Sequence, residues 1–337
     1  MQINHFVGID ISKRTLDIAV VVDGQVIYYD QVSNNLKHIK AALTKLLQQL
    51  KATYADTVFC MEHTGIYNLP LVKYLHGRQA KIWLESGVHI KKSLGIARGK
   101  SDKVDSSRIA MFAFTHQHKM KLWKAPRIVV EKIAALLSQR SRMVKVKKQL
   151  NTAYKEQKGY VPKEISKSLH KYTSKTVAVV DKQLIAIEKE ITDMIKADEQ
   201  ISRLYRIITS VDGMGFVTAA NIITTTNEFK SINDPKKYAC YSGVAPFEHT
   251  SGTSIRGKTR VSQMANKNLK TLLHMAAMSA IQIPGDMQEF YIRKVAEGKN
   301  KMSVINAVRS KLILRVFACV KHDRLYQKKY AYTLLKS

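Results

Sequence analysis

Acidic side chains are scarce in this sequence: 26 Asp and Glu stand against 56 Lys and Arg in 337 residues, a formal net charge of +30. Self-repulsion on that scale is tolerable mainly when a polyanion neutralises it, so the imbalance points first to nucleic acid. Cysteine is scarcer still. Cys60, Cys240 and Cys319 lie far apart and form no C-x-x-C pair, which excludes a disulfide framework and a structural zinc site and fits a reducing cytoplasm. No long apolar run is present either. Stretches such as Ile18 to Val22 fall well short of the roughly 20 residues that a membrane helix needs, which makes a membrane surface the weaker polyanion. Residues Met1 to His5 lead straight into a strand-like run, without the basic and apolar segments of a secretory leader. What remains is 45% apolar and 24% charged residues, the balance of a chain that buries real cores, at a length that suits two domains better than one.

The N-terminal third predicts a mixed sheet. Phe6 to Ile11, Leu16 to Val22 and Val26 to Tyr29 read as strands, with Asp23-Gly24 as a hairpin turn between the last two. Leu36, Ile39, Leu43, Leu46, Leu47 and Leu50 carry the three-to-four spacing of a helix with one buried face. Strands at Thr57 to Met61 and Lys81 to Leu84 flank a helix at Leu69 to His76, and the order βββαβαβα predicts helices packed on a mixed sheet. A long helix is expected from Ile128 to about Gln157. A second begins after a polar stretch around Gly159 to Ser174, with Val177, Val180, Leu184, Ile187, Ile191 and Met194 on one coiled-coil seam. Beyond Ile201 the chain reads as helical with short glycine breaks. The domain plan is therefore 1–125, a helical arm at 126–200, and 201–337.

Two segments hold most of the charge. Residues 119–175 have 16 Lys and Arg against 3 acids, and residues 256–337 have 17 against 4, so 26 of the 30 net charges fall there. Paired basic segments of this kind suit extended contact with phosphates. Between them, Asp212-Gly213-Met214-Gly215 joins two helices. Such a hairpin can offer backbone N–H groups of Gly213 and Gly215 and a helix N-terminus to a phosphate, although a plain tight turn uses the same glycines.

Carboxylates inside apolar strands are costly unless a cation or hydrogen bonds compensate them. Asp10 lies between Ile9 and Ile11, and Glu62 ends the Thr-Val-Phe-Cys-Met strand. Asp102 and Asp105, three apart on a helix starting near Ser101, share one face. Together these four form an oxygen-rich set suited to magnesium or manganese, which can activate a nucleophile and stabilise a leaving oxygen at a phosphodiester. Plainer readings stay open: Asp10 as a turn acid, Glu62 as a rim residue, Asp102 as a charge favoured by the helix dipole.

Gly8-Ile9-Asp10-Ile11-Ser12-Lys13, Glu62-His63-Thr64-Gly65 and Lys100-Ser101-Asp102-Lys103-Val104-Asp105 resemble the signature segments of the DEDD insertion-sequence transposases, the one-ten/eleven-eleven family. The resemblance implies a RuvC-like, RNase H-like catalytic domain at the N-terminus and a metal role for Asp10, Glu62, Asp102 and Asp105. In the C-terminal half, Tyr241-Ser242-Gly243-Val244-Ala245-Pro246 and Thr250-Ser251-Gly252 precede the cations Arg256, Lys258 and Arg260. A serine hydroxyl near such cations has the parts for attack on a phosphodiester, although turn preferences alone favour a structural serine. Gly213 through Ser251-Gly252 to the helix at Asn268 to Ile281 resembles the family's C-terminal transposase domain. There the serine of Ser-Gly is the proposed nucleophile, which implies Ser251, with Ser242 as a packing residue. Met214 stands where a valine or isoleucine is commoner, an apolar exchange.

The resemblance implies an α/β plus α protein: an RNase H-like domain, a coiled-coil arm, and a mostly helical domain with a helix-hairpin-helix element. As a recombinase it would move an insertion sequence through a covalent 5′-phosphoserine, with a bridge RNA pairing donor and target DNA. Base pairing would then supply sequence choice. Its partners would be DNA, the guide RNA and further copies of the chain, as a dimer or tetramer. Two rivals remain: a metal-dependent nuclease or Holliday-junction resolvase without a covalent intermediate, and a non-catalytic basic RNA- or DNA-binding protein.

Overall fold

Asp23 and Gly24 both have left-handed backbones, with φ of 48° and 79°, the geometry of a tight turn whose twist matches the strands it joins. The computed structural model describes residues 3–93, 101–157, 159–251, 255–261 and 265–327. The chain forms two compact units, Met1–Ala125 and Pro126–Ser337.

In the first unit, β1 (His5–Ile11), β2 (Thr15–Val22) and β3 (Gln25–Ser33) run as a meander into α1 (Leu36–Gln49). Then come β4 (Thr57–Glu62), α2 (Leu69–Gly77), β5 (Lys81–Glu85), α3 (Gly87–Ser93) and α4 (Asp102–Thr115). The strands lie in the order β3-β2-β1-β4-β5. β1, β4 and β5 are parallel, while β2 is antiparallel to both its neighbours. This is the RNase H-like arrangement that the resemblance implies. Alternation along β1 divides the core, because successive side chains point to opposite faces. Val7, Ile9 and Ile11 pack with Ile39 and Leu43 of α1 and Leu71 of α2, while Phe6 joins Val58, Cys60 and Trp83 beneath Ile109 and Ala113 of α4.

The second unit starts with α5 (Ile128–Gln157) and α6 (Lys163–Ala197). α6 begins well before the position that apolar periodicity suggests. Pro162 at its N-cap, φ −52°, is pre-set for a helix start, and the first turns are exposed and polar, so they leave no apolar stripe to read. The seam holds: Val180, Ile187 and Ile191 are buried, and Val177, Leu184 and Met194 are half-buried. Arg140–Glu188 (2.7 Å), Lys147–Asp181 (2.6 Å) and the Tyr154–His170 ring pair (4.9 Å) mark an antiparallel helical hairpin.

The hairpin's root is not a separate body. Val130, Ile133 and Leu137 of α5 and Ile191 and Ile195 of α6 share one core with the helices that follow. Those are α7 (Glu199–Thr209), α8 (Phe216–Thr225), α9 (Pro235–Tyr241), α10 (Lys267–Ala280), α11 (Asp286–Ala296) and α12 (Lys301–Lys321). Between α9 and α10 stands an antiparallel strand pair, β6 (Pro246–Ser251) and β7 (Ile255–Val261), in a region where the sequence reads as helical with glycine breaks. Its short β-run is broken by Gly252 and Gly257, which hides the alternation. Among the described residues, no helix is long and apolar enough to cross a membrane.

Candidate active site

Because β1, β4 and β5 are parallel, their C-terminal ends share one edge of the sheet, the edge at which open α/β sheets bind ligands. Asp10 lies near the end of β1, and Glu62 and Glu85 end β4 and β5. Gly8 pairs with Cys60 and Ile9 with Met61, so Asp10 and Glu62 follow at the next step on the face that carries α4. The row extends both ways, with Asp17 opposite Asp10 and Glu85 opposite Glu62.

Two glycines determine how the remaining acids approach. A Cβ at Gly8 would collide with the backbone of Ser106 and Ala110, so its absence lets α4 lie directly on β1. That contact directs the first turn of α4 toward Asp10. Ser101 caps the helix, its hydroxyl accepting from the Val104 N–H (3.3 Å). Asp102 and Asp105 occupy the first turn, where the helix dipole also favours them. A Cβ at Gly87 would meet the carboxylate of Glu62; the bare backbone there is the space in which that carboxylate rests.

The electrostatics agree with this convergence. Asp10 is half-buried, and its carboxyl is pushed from 3.8 up to about 6, first by burial, then by the charges of Glu62 and Asp105, with a smaller push from Asp102. One bond opposes the rise, from the Ile11 N–H to Asp10 Oδ1 (3.0 Å). Asp105 is itself paired with Arg108 at 3.0 Å. The other three acids named from sequence are thus close enough for Asp10 to feel their charge. Among the described residues, no group of three or more His, Cys, Asp or Glu stands ready to hold a metal ion, so the site is a convergence of charge and not a closed shell. Its donor set still fits a hard divalent cation: the oxygens are all carboxylate, and the central acid carries a burial and repulsion penalty that a cation would relieve.

Several supporting residues escape the sequence reading. Asp17 is only 2% exposed, and it accepts from Tyr29 Oη (2.6 Å) and Gln31 Nε2 (3.0 Å). Lys103 of α4 lies over the Tyr29 ring, 5.1 Å from its centroid. Buried Asn68 donates to the Glu62 carbonyl (2.7 Å) and accepts from the Thr64 N–H (3.0 Å) and hydroxyl (2.6 Å), fixing the chain just after Glu62. Glu85 accepts from the Ser86 N–H (2.9 Å) and the Trp83 indole (3.3 Å). The signal for Asp17 is the one that singles out Asp10, an acid inside an apolar strand, as in Leu16-Asp17-Ile18. Asn68 carries no such signal, since its role depends on a turn folding back on itself.

In the second unit, Ser251 is the last residue of β6 and pairs with Ile255, while Thr250 pairs with Arg256 and Phe247 with Arg260. Arg256, Lys258 and Arg260 occupy alternate positions along β7. Gly252, adjacent to Ser251, lies outside the described residues. Ser242 is fully buried and its hydroxyl donates to the Ala239 carbonyl (3.2 Å), as a packing residue does. Gly213 has φ +85°, and a Cβ there would strike the Ala276 carbonyl of α10, so turn geometry and close packing already account for it. Gly215, at the N-cap of α8, faces open space.

Two family profiles match the chain. One, described as a DEDD transposase, covers residues 7–156, and the other, the Transposase IS116/IS110/IS902 family, covers residues 205–292. The pilin gene-inverting protein of Moraxella bovis is 25% identical over 329 residues, which span 96% of this chain and 98% of that protein. An IS116 insertion-element protein of Streptomyces clavuligerus, itself uncharacterized, is 26% identical over 46% of this chain and 40% of its own length. Among solved structures, Thermus thermophilus RuvC with a Holliday junction matches 36% of this chain and 99% of its own, at a TM-score of 0.30 and 12% identity.

Proposed function

We propose that this chain, matched by the DEDD transposase and Transposase IS116/IS110/IS902 family profiles, is an enzyme of that family that cuts and rejoins DNA, and that it does so through a covalent serine–DNA intermediate. What supports the reading is that Asp10 and Glu62 lie near the ends of neighbouring parallel strands, and that Asp10 is pushed up to about 6 by burial and by the charges of Glu62, Asp105 and Asp102. Asp10 and Glu62 from the strands and Asp102 and Asp105 from α4 would hold magnesium or manganese. A bound divalent ion would supply positive charge to the scissile phosphate and favour loss of the serine proton.

The chain's own residues do the rest. The hydroxyl oxygen of Ser251 attacks phosphorus, forming the Oγ–P bond as the bond to the 3′-oxygen breaks. The serine proton is taken up by a nearby base, and the departing 3′-oxygen is protonated. Arg256, Lys258 and Arg260 suit the charge that grows on the phosphoryl oxygens. Attack by another 3′-hydroxyl on the phosphoserine reverses these steps, so strands rejoin without an external energy source. The same chemistry serves insertion and inversion, and the Moraxella bovis relative is named for inverting a gene.

The basic segments support the other partners. Lys145, Lys148, Lys163, Lys167, Lys171 and Lys175 are exposed along the helical hairpin, a surface for the phosphates of a guide RNA and of donor and target DNA. In this reading the chain works in the cytoplasm as a homo-oligomer. Gly215 offers a further phosphate contact at the N-terminus of α8.

The test is Ser251→Ala, incubated with labelled DNA, guide RNA and magnesium and resolved on a denaturing gel. Both the protein–DNA adduct and strand cleavage are expected to vanish. Cleavage that continues with free ends would instead support a metal-dependent nuclease.

A further inference from the structure

Among the described residues, buried Glu228, 5% exposed, is bridged by Arg127 and Lys230. Buried Arg309 on α12 has no such counter-charge there. It is 6% exposed, and its hydrogen bonds go to neutral groups: Nη2–H donates to His274 Nδ1 (2.6 Å) and Nη1–H to Asn306 Oδ1 (3.4 Å). Its Nε–H has no partner among the described residues. Burial holds the guanidinium below its usual range, and burial together with the arginine charge lowers His274, which keeps that imidazole a neutral acceptor.

A guanidinium buried without an anion is strongly unfavourable, because neither solvent nor an ion pair replaces its hydration. The unused Nε–H and the uncompensated charge face the same kind of remedy, an anionic oxygen. Arg309 lines a cavity of about 970 Å³ that also takes in Lys270 of α10, Ser310 of α12, and Pro246 and Val261. Among the described residues, no Asp or Glu lines it. Pro246 and Val261 are paired with each other at the base of the strand pair that carries Ser251. Asn306 ties the cavity floor to that base by donating to the Val244 carbonyl (2.9 Å).

We propose that this cavity binds a backbone phosphate of the DNA strand next to the one attacked, with Arg309 as the buried anchor and Lys270 and Ser310 as the outer contacts. The planar guanidinium fork suits two phosphate oxygens. His274 and Asn306 hold the fork in place, and Nε–H is left without a partner among the described residues. Such a contact sets the register of a strand without reading its sequence. It would hold the DNA at the base of β6 and β7 while Ser251 sits at their far end. That the strand is DNA rests on the Ser251 reading, whereas phosphate binding at Arg309 does not.

The experiment measures binding, not cleavage. Affinity of the full chain for a fluorescein-labelled DNA oligonucleotide is recorded by anisotropy over a range of salt, for wild type, Arg309→Met, Lys270→Gln and Ser251→Ala. Arg309→Met is expected to weaken binding about tenfold or more and to flatten the log–log salt dependence by about one unit, the signature of one lost phosphate contact. Its thermal midpoint should rise, since the methionine fills similar space without the stranded charge. Lys270→Gln should flatten the slope likewise, and it decides the matter should Arg309→Met fail to fold. Ser251→Ala should bind as wild type does. If it does, yet wild type forms no covalent adduct, only the serine reading falls.

Unchanged affinity and slope in Arg309→Met, or in Lys270→Gln if the former is unfolded, would overturn the proposal. So would a loss confined to an RNA oligonucleotide of the same length. A third refuting result is an Arg309-dependent rise in midpoint with inorganic phosphate while DNA binding stays unchanged, which would make the cavity a free-anion site.

Discussion

Replacing Asp10 by asparagine separates what this side chain does for chemistry from what it does to stability. In the metal-free chain, the carboxyl titrates near 6 against 3.8 for an unperturbed group. That difference is worth about 3 kcal/mol at full effect, and roughly half of that is a reasonable expectation for a half-buried group. The sign follows from proton binding. Between about pH 4 and pH 6 the unfolded chain has released this proton while the folded chain retains it. Folding stability therefore falls as pH rises through that window and stays lower above it.

Asn at position 10 keeps the shape and can still accept from the Ile11 N–H, but it carries no charge. Asp10→Asn should therefore unfold a few degrees higher than wild type at pH 7.5 in EDTA. The gap should shrink as pH falls through 6 and vanish near 4. Magnesium should reverse the order, because an ion at a hundred times its dissociation constant adds about 2.7 kcal/mol to a chain that binds it, and only wild type retains the central ligand. Thermal unfolding followed by circular dichroism over pH 4 to 8, with and without magnesium, reads all of this. An asparagine variant that is less stable at pH 7.5 in EDTA, or a gap that ignores pH, would refute the account of Asp10 as a penalised carboxylate held for a cation.

The two glycines of the site should respond differently. Gly87→Ala presses only on the movable end of Glu62, so urea unfolding should change by less than about 1 kcal/mol while magnesium-dependent strand cleavage drops at least tenfold. Gly8→Ala meets the backbone of Ser106 and Ala110; α4 must shift, and the first unit should lose about 2 kcal/mol or more by the same measurement. Equal effects from the two would contradict the roles assigned here. Tyr29→Phe removes one donor from buried Asp17 and should destabilise by about 1–3 kcal/mol in urea unfolding; an unchanged midpoint would mean that the bond contributes nothing.

Much of the first unit was legible because its signals are local. Asp23-Gly24 demands a tight turn whatever surrounds it. Ile39, Leu43 and Leu46 repeat at helical spacing, and Ser101 can cap α4 through a neighbour three residues on. The C-terminal strand pair was harder, since Gly252 and Gly257 interrupt its alternation. α6 extended past its apolar pattern because helical backbone bonds propagate through polar residues once a start is set. For the acids, Glu62, Asp102 and Asp105 act on Asp10 through their charge, while Asp17 and Glu85, which extend the strand row that holds Asp10 and Glu62, carry no sequence motif.

By itself, the sequence determines the charge imbalance and where it lies, the strand and helix periods, and the identities of the few acids and the serine on which the proposed chemistry depends. Each follows from composition or from residues within a turn or two of one another. The tertiary structure alone decides which of them meet. β1 and β4 pair across some fifty residues, and that register lines up Asp17, Asp10, Glu62 and Glu85. The missing Cβ atoms of Gly8 and Gly87 matter only for what packs against them. Arg309 reads as one more basic residue until its surroundings show no acidic partner among the described residues. Burial and register are properties of surfaces brought together from distant parts of the chain, and no local pattern encodes them.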